Sequence, residues 1–408
     1  MKKILKIATV LMLIIFYIYI YNIAAIPENI TLFEGETVNL KLAAGLSLQR
    51  LNNYETTLAS TNLNKDISTA TGNNKLKLSL FNSIGVKDVN IDVVPETKVV
   101  PLGTSIGMKL YTKGVLVVGM SEIETDDNKK EKPYENSGIE EGDSIIAIND
   151  SEVNTTQELI NQINHSNGET LDIKYMKDDG ILETSITPVK SNNEYKIGLW
   201  VRDAAAGVGT LTFYESSTNM FMSLGHGIVD IDTEKIVEIS SGELVTANIL
   251  SIVKGQKNVP GEIRGTITNG YTIGRIYKNT NMGVYGKVIN KQYLNVQNGE
   301  VLVAARNEIK TGKATVICQL ENNGPSEYEI EIEKIYINNN NDNKSMLIKI
   351  TDSRLLEKTG GIIQGMSGAP ILQNGKFIGA VTNVLIKDPT QGYAIFGDLL
   401  IKQIREVD

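Results

Sequence analysis

From Tyr195 to the C-terminus, the sequence is a series of short apolar runs separated by glycines and polar residues, and this pattern limits the possible fold most strongly. Typical runs are GVGTLTFYES, VLVAARNEI, KATVICQL and GKFIGAVTNVLI. Runs of this length are typical of strands, and about ten of them at regular spacing indicate a β-barrel or a pair of β-barrels. The composition agrees, because 36 glycines accompany only 9 prolines. We therefore predict a mainly β protein.

The N-terminus has the features of an export signal. Three lysines precede Ile7–Ile26, a run of 20 residues without a charge. Such a run is long enough to span a bilayer, and basic residues on the short flank tend to stay in the cytoplasm. Two adjacent alanines form only a weak cleavage signal. Residues 1–26 are therefore predicted to be a transmembrane anchor, with a cleaved signal as the alternative, and the remainder is predicted to be extracytoplasmic.

Charge and cysteine content exclude several classes of function. The chain has 40 basic and 48 acidic residues, a net charge of -8, and no basic stripe interleaved with aromatic residues. We therefore expect no nucleic-acid partner. The single cysteine, Cys318, cannot form an intramolecular disulfide, and with two histidines it cannot supply an ordinary structural zinc site. We expect Cys318 to be a buried small apolar residue, and we expect no metal or cofactor.

Two segments precede the barrel region. Residues 27–95 alternate apolar and polar positions and are predicted to form a small β region, with a mobile, easily cleaved loop at 52–74 that is rich in Asn, Thr and Ser. Residues 96–190 contain β runs, the stretch SGIEEGDSIIAIND and a segment of helical period, TTQELINQINHSNG. We interpret 96–190 as a separate module.

The module at 96–190 resembles a PDZ domain, chiefly through its stretch SGIEEGDSIIAIND. PDZ domains bind a peptide as an added strand, and backbone N–H groups of a preceding loop hold the terminal carboxylate of that peptide. The alternative is a degraded module that only packs against the neighbouring domain. The resemblance implies a peptide-binding loop formed by Leu102, Gly103, Thr104, Ser105 and Ile106.

Only two histidines are available for histidine-dependent chemistry. His165 lies in the polar turn NHSNG, where a solvated surface side chain is the ordinary expectation. His226 lies in SLGHGIVD between two glycines, so the backbone around it is open to close approach by a substrate or another loop. We therefore predict that His226 is a general base.

A serine motif occupies residues 360–372, GGIIQGMSGAPIL. The glycine two residues before the serine lets the chain curl, so that the N–H groups of Gly365 and Ser367 form an oxyanion hole beside the hydroxyl. The motif is not the G-x-S-x-G elbow of α/β-hydrolases, because Ala369 stands where that elbow has its second glycine. An isolated motif of this kind can be a hairpin turn, but together with His226 it predicts that Ser367 is a nucleophile.

A carboxylate that orients the imidazole is harder to assign. Asp230 and Asp232 follow the histidine closely, and Asp352 precedes the serine motif. Because the members of a catalytic triad meet in space and not along the chain, sequence spacing leaves all three candidates open.

Taken together, these features resemble the stage IV sporulation protein B (SpoIVB) serine peptidase family of spore-forming bacteria over nearly the whole chain. The resemblance rests on the N-terminal run, the PDZ-like module, SLGHGIVD, ITDSRLLEKTGGIIQGMSGAPI and GAVTNVLIKDPTQGYAIF. It implies a chymotrypsin-like double β-barrel peptidase domain in residues 191–408 and a triad of His226, Asp352 and Ser367.

The same resemblance implies a role in signalling during spore formation. A peptidase of this family acts in the space between the forespore and mother-cell membranes, where it cleaves itself and a membrane-bound regulator of mother-cell sigma factor processing. The main alternative is a non-catalytic PDZ-bearing extracytoplasmic scaffold. A metalloprotease is a remote alternative, because the chain has no H-E-x-x-H motif.

Overall fold

The computed structural model describes most of the chain outside the loop predicted at 52–74. The described residues are 2–26, 28–34, 42–50, 72–178, 180–267, 270–337 and 343–405. Residues 52–71 of the predicted loop lie outside this set, and residues 72–74 begin a strand.

An N-terminal helix leads into a small sheet. Helix α1 covers Lys2–Ala25. No helix within the described residues is both long enough and apolar enough to cross a membrane. The sheet has the order β1-β4-β3-β2 and consists of β1 (Asn29–Phe33), β2 (Leu46–Arg50), β3 (Gly72–Leu80) and β4 (Ile84–Val94). Because successive strand residues face opposite sides, alternate aliphatic residues of β3 and β4 build a core of their own.

The middle module combines short strands with one amphipathic helix. Helix α2 covers Thr156–His165, and Thr155 and Glu158 close a capping box at its start. Leu159 and Ile163, four residues apart, are buried in the module core. The strands are β6 (Ile123–Glu124), β7 (Lys130–Glu131), β8 (Ser144–Ile148), β9 (Ser151–Glu152), β10 (Leu171–Lys177), β11 (Gly180–Ile186), β12 (Val189–Ser191) and β13 (Glu194–Lys196).

Two long antiparallel strands connect this module to the barrels. Strand β5 covers Lys98–Met120 and β14 covers Leu199–Tyr214, and they pair along almost the whole of β14. The register shifts where Arg202 pairs with Leu116 and Ala204 with Tyr111. A bulge of this kind bends a strand. The pair therefore passes from the sheet of the middle module into the first barrel without a loop.

Six strands form the first barrel by pairing in a closed ring, β5-β14-β15-β20-β19-β16 and back to β5. The four strands not yet defined are β15 (Met220–Ser223), β16 (Ile239–Thr246), β19 (Thr272–Thr280) and β20 (Gly283–Val288). Beside this ring lie a hairpin of β17 (Asn248–Val253) and β18 (Glu262–Thr266), a 3-10 turn at Lys291–Tyr293, and β21 (Val301–Leu302), which pairs with β5.

A second closed barrel follows in the order β22-β23-β24-β27-β26-β25. Its strands are β22 (Gly312–Cys318), β23 (Ser326–Ile335), β24 (Met346–Ile350), β25 (Pro370–Gln373), β26 (Lys376–Val384) and β27 (Gln391–Phe396). Helix α3 (Ser353–Thr359) lies between β24 and β25, and helix α4 (Gly397–Arg405) ends the described chain. The mainly β prediction is confirmed.

The two barrels pack against each other through large buried side chains. Phe213 of the first barrel meets Phe377 of the second edge to face, with ring centroids 5.2 Å apart. Met222, Tyr285 and Ile395 belong to the same buried cluster. Full burial of each such side chain contributes about 1.5–3 kcal/mol, so this cluster helps to hold the two barrels together.

Candidate active site

Ser367 and His226 line one cavity of about 570 Å³ between the two barrels. His226 follows β15 of the first barrel, and Ser367 lies in the loop before β25 of the second. Thr382 and Asn383 of β26 line the same cavity, together with residues 205–209 of β14. The fold thus brings together the two residues that the sequence separates by 141 positions (367 − 226).

The Ser367 loop packs tightly against the loop that carries His226. Gly365 and Gly368 have φ values of +96° and +91°, a region that favours glycine. A Cβ on Gly368 would lie 2.5 Å from the backbone nitrogen of Leu224. Leu224 itself has φ +78°, which is uncommon for a bulky non-glycine residue, and strained residues of this kind cluster at functional sites. The two loops therefore constrain each other.

The N–H groups around the serine separate into two sets. Three of them donate to backbone carbonyls: Gln364 to Gly261 at 2.9 Å, Met366 to Ile363 at 3.1 Å and Gly368 to Val381 at 2.7 Å. The N–H groups of Gly365 and Ser367 have no acceptor among the described residues. Two unused donors beside a hydroxyl are what a developing oxyanion requires.

The serine and histidine side chains bond to backbone carbonyls. The Ser367 hydroxyl donates to the Thr382 carbonyl at 2.8 Å. His226 Nδ1 lies 2.9 Å from the Gly227 carbonyl. Because a carbonyl only accepts, that contact assigns the ring proton to Nδ1 and leaves Nε2 free to accept a proton. Among the hydrogen bonds described, none joins the two side chains, an arrangement common in sites without substrate.

Asp352 makes its contacts at the start of α3. Its carboxylate caps the helix by accepting from the N–H of Arg354 at 2.9 Å and of Leu355 at 3.4 Å. It also accepts from the N–H of Glu329 at 3.2 Å and from the Arg354 guanidinium at 2.8 Å. The Arg354 bond, with the backbone donors, lowers the pKa of Asp352 to about 2. The structure thus keeps Asp352 ionised but does not bring it to His226.

The other two carboxylate candidates belong to an ion-pair cluster behind the histidine loop. Arg202 of β14 contacts Asp230 and lies 2.8 Å from Asp232. Asp230 also accepts from the N–H groups of Asp232 at 3.0 Å and Thr233 at 3.1 Å. These bonds and Arg202 lower the pKa of Asp230 in spite of its burial. Neither carboxylate lines the cavity of His226.

The residues predicted as a peptide-binding loop lie inside strand β5. Thr104 and Ile106 pair with β14, and Ile106 also pairs with β16. Leu102 and Ile106 are buried, and the N–H of Ser105 donates to Gln319 Oε1 at 3.0 Å. Buried backbone groups that already have partners do not hold a ligand carboxylate. The structure therefore places no such loop at Leu102, Gly103, Thr104, Ser105 and Ile106.

A strand edge beside a helix, which sequence analysis missed, lies at the start of β14. Residues 199–202 pair with β5 on one side, and Asp203 lies at the shift in register that follows. Helix α2 runs antiparallel to them: the Thr156 N–H donates to Asp203 at 2.7 Å, and the Tyr195 N–H donates to Asn164 at 2.9 Å. The feature of the sequence that could have indicated this site is the glycine in KIGLW. Gly198 has φ +80° and forms a turn directly before β14.

The two remaining residues that sequence analysis considered lie away from the cavity. His165 is exposed at the end of α2, where its Nδ1 contacts the Asn161 carbonyl at 2.6 Å. Cys318 is buried, and desolvation together with the charge of Asp352 raises the pKa of its thiol to about 12. A thiol in that state is unreactive, in agreement with the predicted apolar role.

Comparison with known proteins gives two family matches. A model of the SpoIVB peptidase S55 family matches residues 193–401, and a PDZ-domain model matches residues 103–187. The solved PDZ domain of the SdrC-like protein of Listeria monocytogenes is 23% identical, over 22% of this chain and 87% of that chain, with a TM-score of 0.18. The active form of the Rv3671c protease from M. tuberculosis is 14% identical, over 61% of this chain and 86% of that chain, with a TM-score of 0.27.

Proposed function

Because the chain belongs to the SpoIVB peptidase S55 family and carries a PDZ domain, we propose that it is a serine endopeptidase that cleaves itself and a membrane-bound regulator of mother-cell sigma factor processing. One observation carries the proposed chemistry. Ser367, His226 and the two unused N–H groups of Gly365 and Ser367 meet at one cavity.

The mechanism follows from these positions. The Ser367 hydroxyl turns from the Thr382 carbonyl to Nε2 of His226, which takes its proton as Oγ bonds to the peptide carbon. The carbonyl electrons move to oxygen, where the N–H groups of Gly365 and Ser367 stabilise the charge. The C–N bond then breaks, and the imidazolium gives its proton to the leaving amine. Water then attacks the acyl carbon as the same histidine takes its proton, the bond from that carbon to Ser367 Oγ breaks, and the imidazolium returns the proton to Oγ.

The role of Asp352 as the third catalytic residue stays a prediction from the family resemblance. Its contacts support a positioning role, because they hold the start of α3, which leads into the Ser367 loop. The bond between Nδ1 of His226 and the Gly227 carbonyl already selects the tautomer that an acid would select.

A peptide partner of the PDZ domain would bind at the edge of residues 199–203. This edge lies beside α2, in the relation that strand addition requires. The same strand, β14, continues along the catalytic cavity. A bound peptide would therefore change the selectivity or the timing of cleavage more than the intrinsic rate of hydrolysis.

We further propose that the protein acts outside the cytoplasm, in the space between the forespore and mother-cell membranes. Three lysines followed by an apolar run support export by the N-terminal segment, whether as an anchor or as a cleaved signal. Self-cleavage is expected within residues 52–74, the polar segment that the sequence marks as accessible. Sizing the protein from fractionated sporulating cells tests both statements.

The first experiment compares the exported region, residues 27–408, as wild type and as Ser367→Ala, by mass spectrometry over time. We expect the wild type to shorten near its N-terminus and the variant to stay intact. The chain offers a matched histidine pair: His226→Ala should stop cleavage, whereas His165→Ala should not. A scaffold would keep its function without Ser367, and equal shortening of both proteins would indicate a contaminating protease.

A further inference from the structure

The hairpin of β17 and β18 extends from the first barrel to the second. In sequence it lies between β16 and β19, two paired strands of the first barrel. Its side chains Ile249 and Ile263 nevertheless belong to the buried core of the second barrel. Asn322, which lies between two strands of the second barrel, bonds to the N–H of Ile249 at 2.8 Å and to its carbonyl at 3.0 Å. The hairpin therefore couples the two barrels.

Strand β18 and the residue before it bond to the residue that precedes the oxyanion-hole glycine. The Gln364 N–H donates to the Gly261 carbonyl at 2.9 Å, and the Ile263 N–H donates to the Gln364 carbonyl at 2.8 Å. These two bonds form a parallel bridge between Glu262 and Gln364. A Cβ on Gly261 would lie 2.5 Å from Ile363 Cγ2, so the close approach requires glycine there. The hairpin thus holds both backbone groups of Gln364.

The bond from Ile263 fixes the direction of the Gly365 N–H. The Gln364 carbonyl and the Gly365 N–H belong to one peptide group, and in a planar trans peptide they point in opposite directions. A carbonyl held by the hairpin therefore turns the N–H away from it. Because glycine adopts positive and negative φ about equally, Gly365 itself does not prevent this peptide group from turning over. Thr210 Oγ1 donates to the Gly365 carbonyl at 2.6 Å, but that carbonyl belongs to the next peptide group.

We propose that Ile263 is a positioning residue for catalysis: through the Gln364 carbonyl, its N–H holds the Gly365 N–H in the orientation that stabilises the oxyanion. The inference rests on the proposed peptidase function, because it concerns the oxyanion hole of that same site. Without the bond the peptide group populates both orientations, and only molecules with the N–H turned towards the oxyanion complete the reaction. The charge that this N–H stabilises appears only during the reaction, so the loss falls on kcat and not on KM.

Three changes separate the N–H of Ile263 from its side chain. Ile263→Pro deletes the N–H that donates to Gln364, whereas Ile263→Val keeps it and shortens the side chain by one carbon. An ester in place of the amide between Glu262 and Ile263 deletes the same N–H and keeps every side chain, so it decides the question if the proline variant does not fold. The substrate is a quenched octapeptide spanning the self-cleavage site, and all measurements use the full chain.

Two probes report on the active site of each preparation. A fluorophosphonate, allowed to react to completion, labels Ser367 and counts the competent sites. A peptide aldehyde with the sequence that precedes the self-cleavage site imitates the transition state. Ser367 Oγ bonds to the aldehyde carbon, its proton passes to His226, and the carbonyl electrons move to the oxygen in the oxyanion hole.

We expect kcat per labelled site to fall about 10-fold in Ile263→Pro and in the ester, as for a lost hydrogen bond, while KM stays within about twofold. The inhibition constant of the aldehyde should rise by the same factor, because only the competent orientation binds it tightly. Ile263→Val should resemble the wild type in all three quantities.

A purely structural role of Ile263 predicts fewer labelled sites, each with the kcat and the aldehyde affinity of the wild type. That result would overturn the inference, as would a loss confined to KM or an equal loss in Ile263→Val. An unlabelled wild type would instead refute the peptidase proposal.

Discussion

The charge of Asp352 should stabilise helix α3, and Asp352→Asn isolates that charge, because asparagine caps helices about as well as aspartate. The pKa of Asp352 is lowered from 3.8 to about 2. One pKa unit corresponds to about 1.4 kcal/mol, so the ionised carboxylate contributes about 2 kcal/mol. Arg354 is exposed, and solvent screening makes this an upper value.

The pH dependence has a defined sign. A carboxylate with a lowered pKa stabilises the folded state fully above its unfolded value of 3.8, and loses that contribution as the pH falls through about 2. The difference in unfolding free energy between Asp352→Asn and its parent should therefore be constant from about pH 5 to neutrality, shrink as the pH falls further, and vanish only below about pH 2.

Hydrogen exchange of the α3 amides is the suitable assay, because the one tryptophan, Trp200, lies in β14 and does not report on the second barrel. In a Ser367→Ala background that prevents self-cleavage, we expect α3 amides of Asp352→Asn to exchange about 30-fold faster at neutral pH, which corresponds to about 2 kcal/mol.

The peptidase activity of Asp352→Asn distinguishes a positioning role of Asp352 from a direct catalytic role. With an active Ser367, a positioning role predicts that Asp352→Asn loses turnover only modestly per fluorophosphonate-labelled site. An orienting acid of a triad predicts a loss of about 10⁴-fold. Unchanged α3 exchange together with a loss of that size would refute the reasoning and establish Asp352 as a triad member.

Two further substitutions test the supports of the cavity. Thr210→Val removes the bond to the Gly365 carbonyl and should lower kcat about 10-fold with little change in KM, measured by steady-state peptide cleavage; an unchanged kcat would show that Gly365 is held by other contacts. Arg202→Met leaves the Asp230 carboxylate buried without its cation and should destabilise the loop after His226 by about 3 kcal/mol in urea unfolding; wild-type stability would show that the N–H groups of Asp232 and Thr233 suffice.

Strand β14 is continuous between the PDZ domain and the catalytic cavity. One end of the strand lies beside α2, the next stretch lines the cavity, and Arg202 between them contacts the histidine loop. We therefore expect a perturbation at the PDZ end to be transmitted through the paired backbone of β14 and the ion pairs of Arg202 with Asp230 and Asp232. Timing and specificity effects of PDZ ligands should therefore appear in kcat as well as in KM.

The serine peptidase class could be predicted from the sequence because its motifs are local patterns. Glycines flank His226 and precede Ser367, and such spacing acts within a few residues, where backbone conformation is decided by the side chains present. The β class was readable for the same reason, from short runs with turn residues between them. The buried state of Cys318 was expected because a lone cysteine without a disulfide, zinc or histidine partner usually behaves as a small apolar residue.

Only the tertiary structure decided how distant segments meet. Strand pairing is non-local, so nothing near Leu102–Ile106 showed that these residues would pair with β14 and lie buried. The contacts of Asp352 with its own helix, and not with His226, depend on the same long-range packing. The stretch Ala206–Val208 pairs with β5 alone because β15 starts to pair with β14 only at Leu211. Local sequence determines which backbone conformations each segment can adopt. The closing of the two barrels determines which backbone and side-chain groups contact one another.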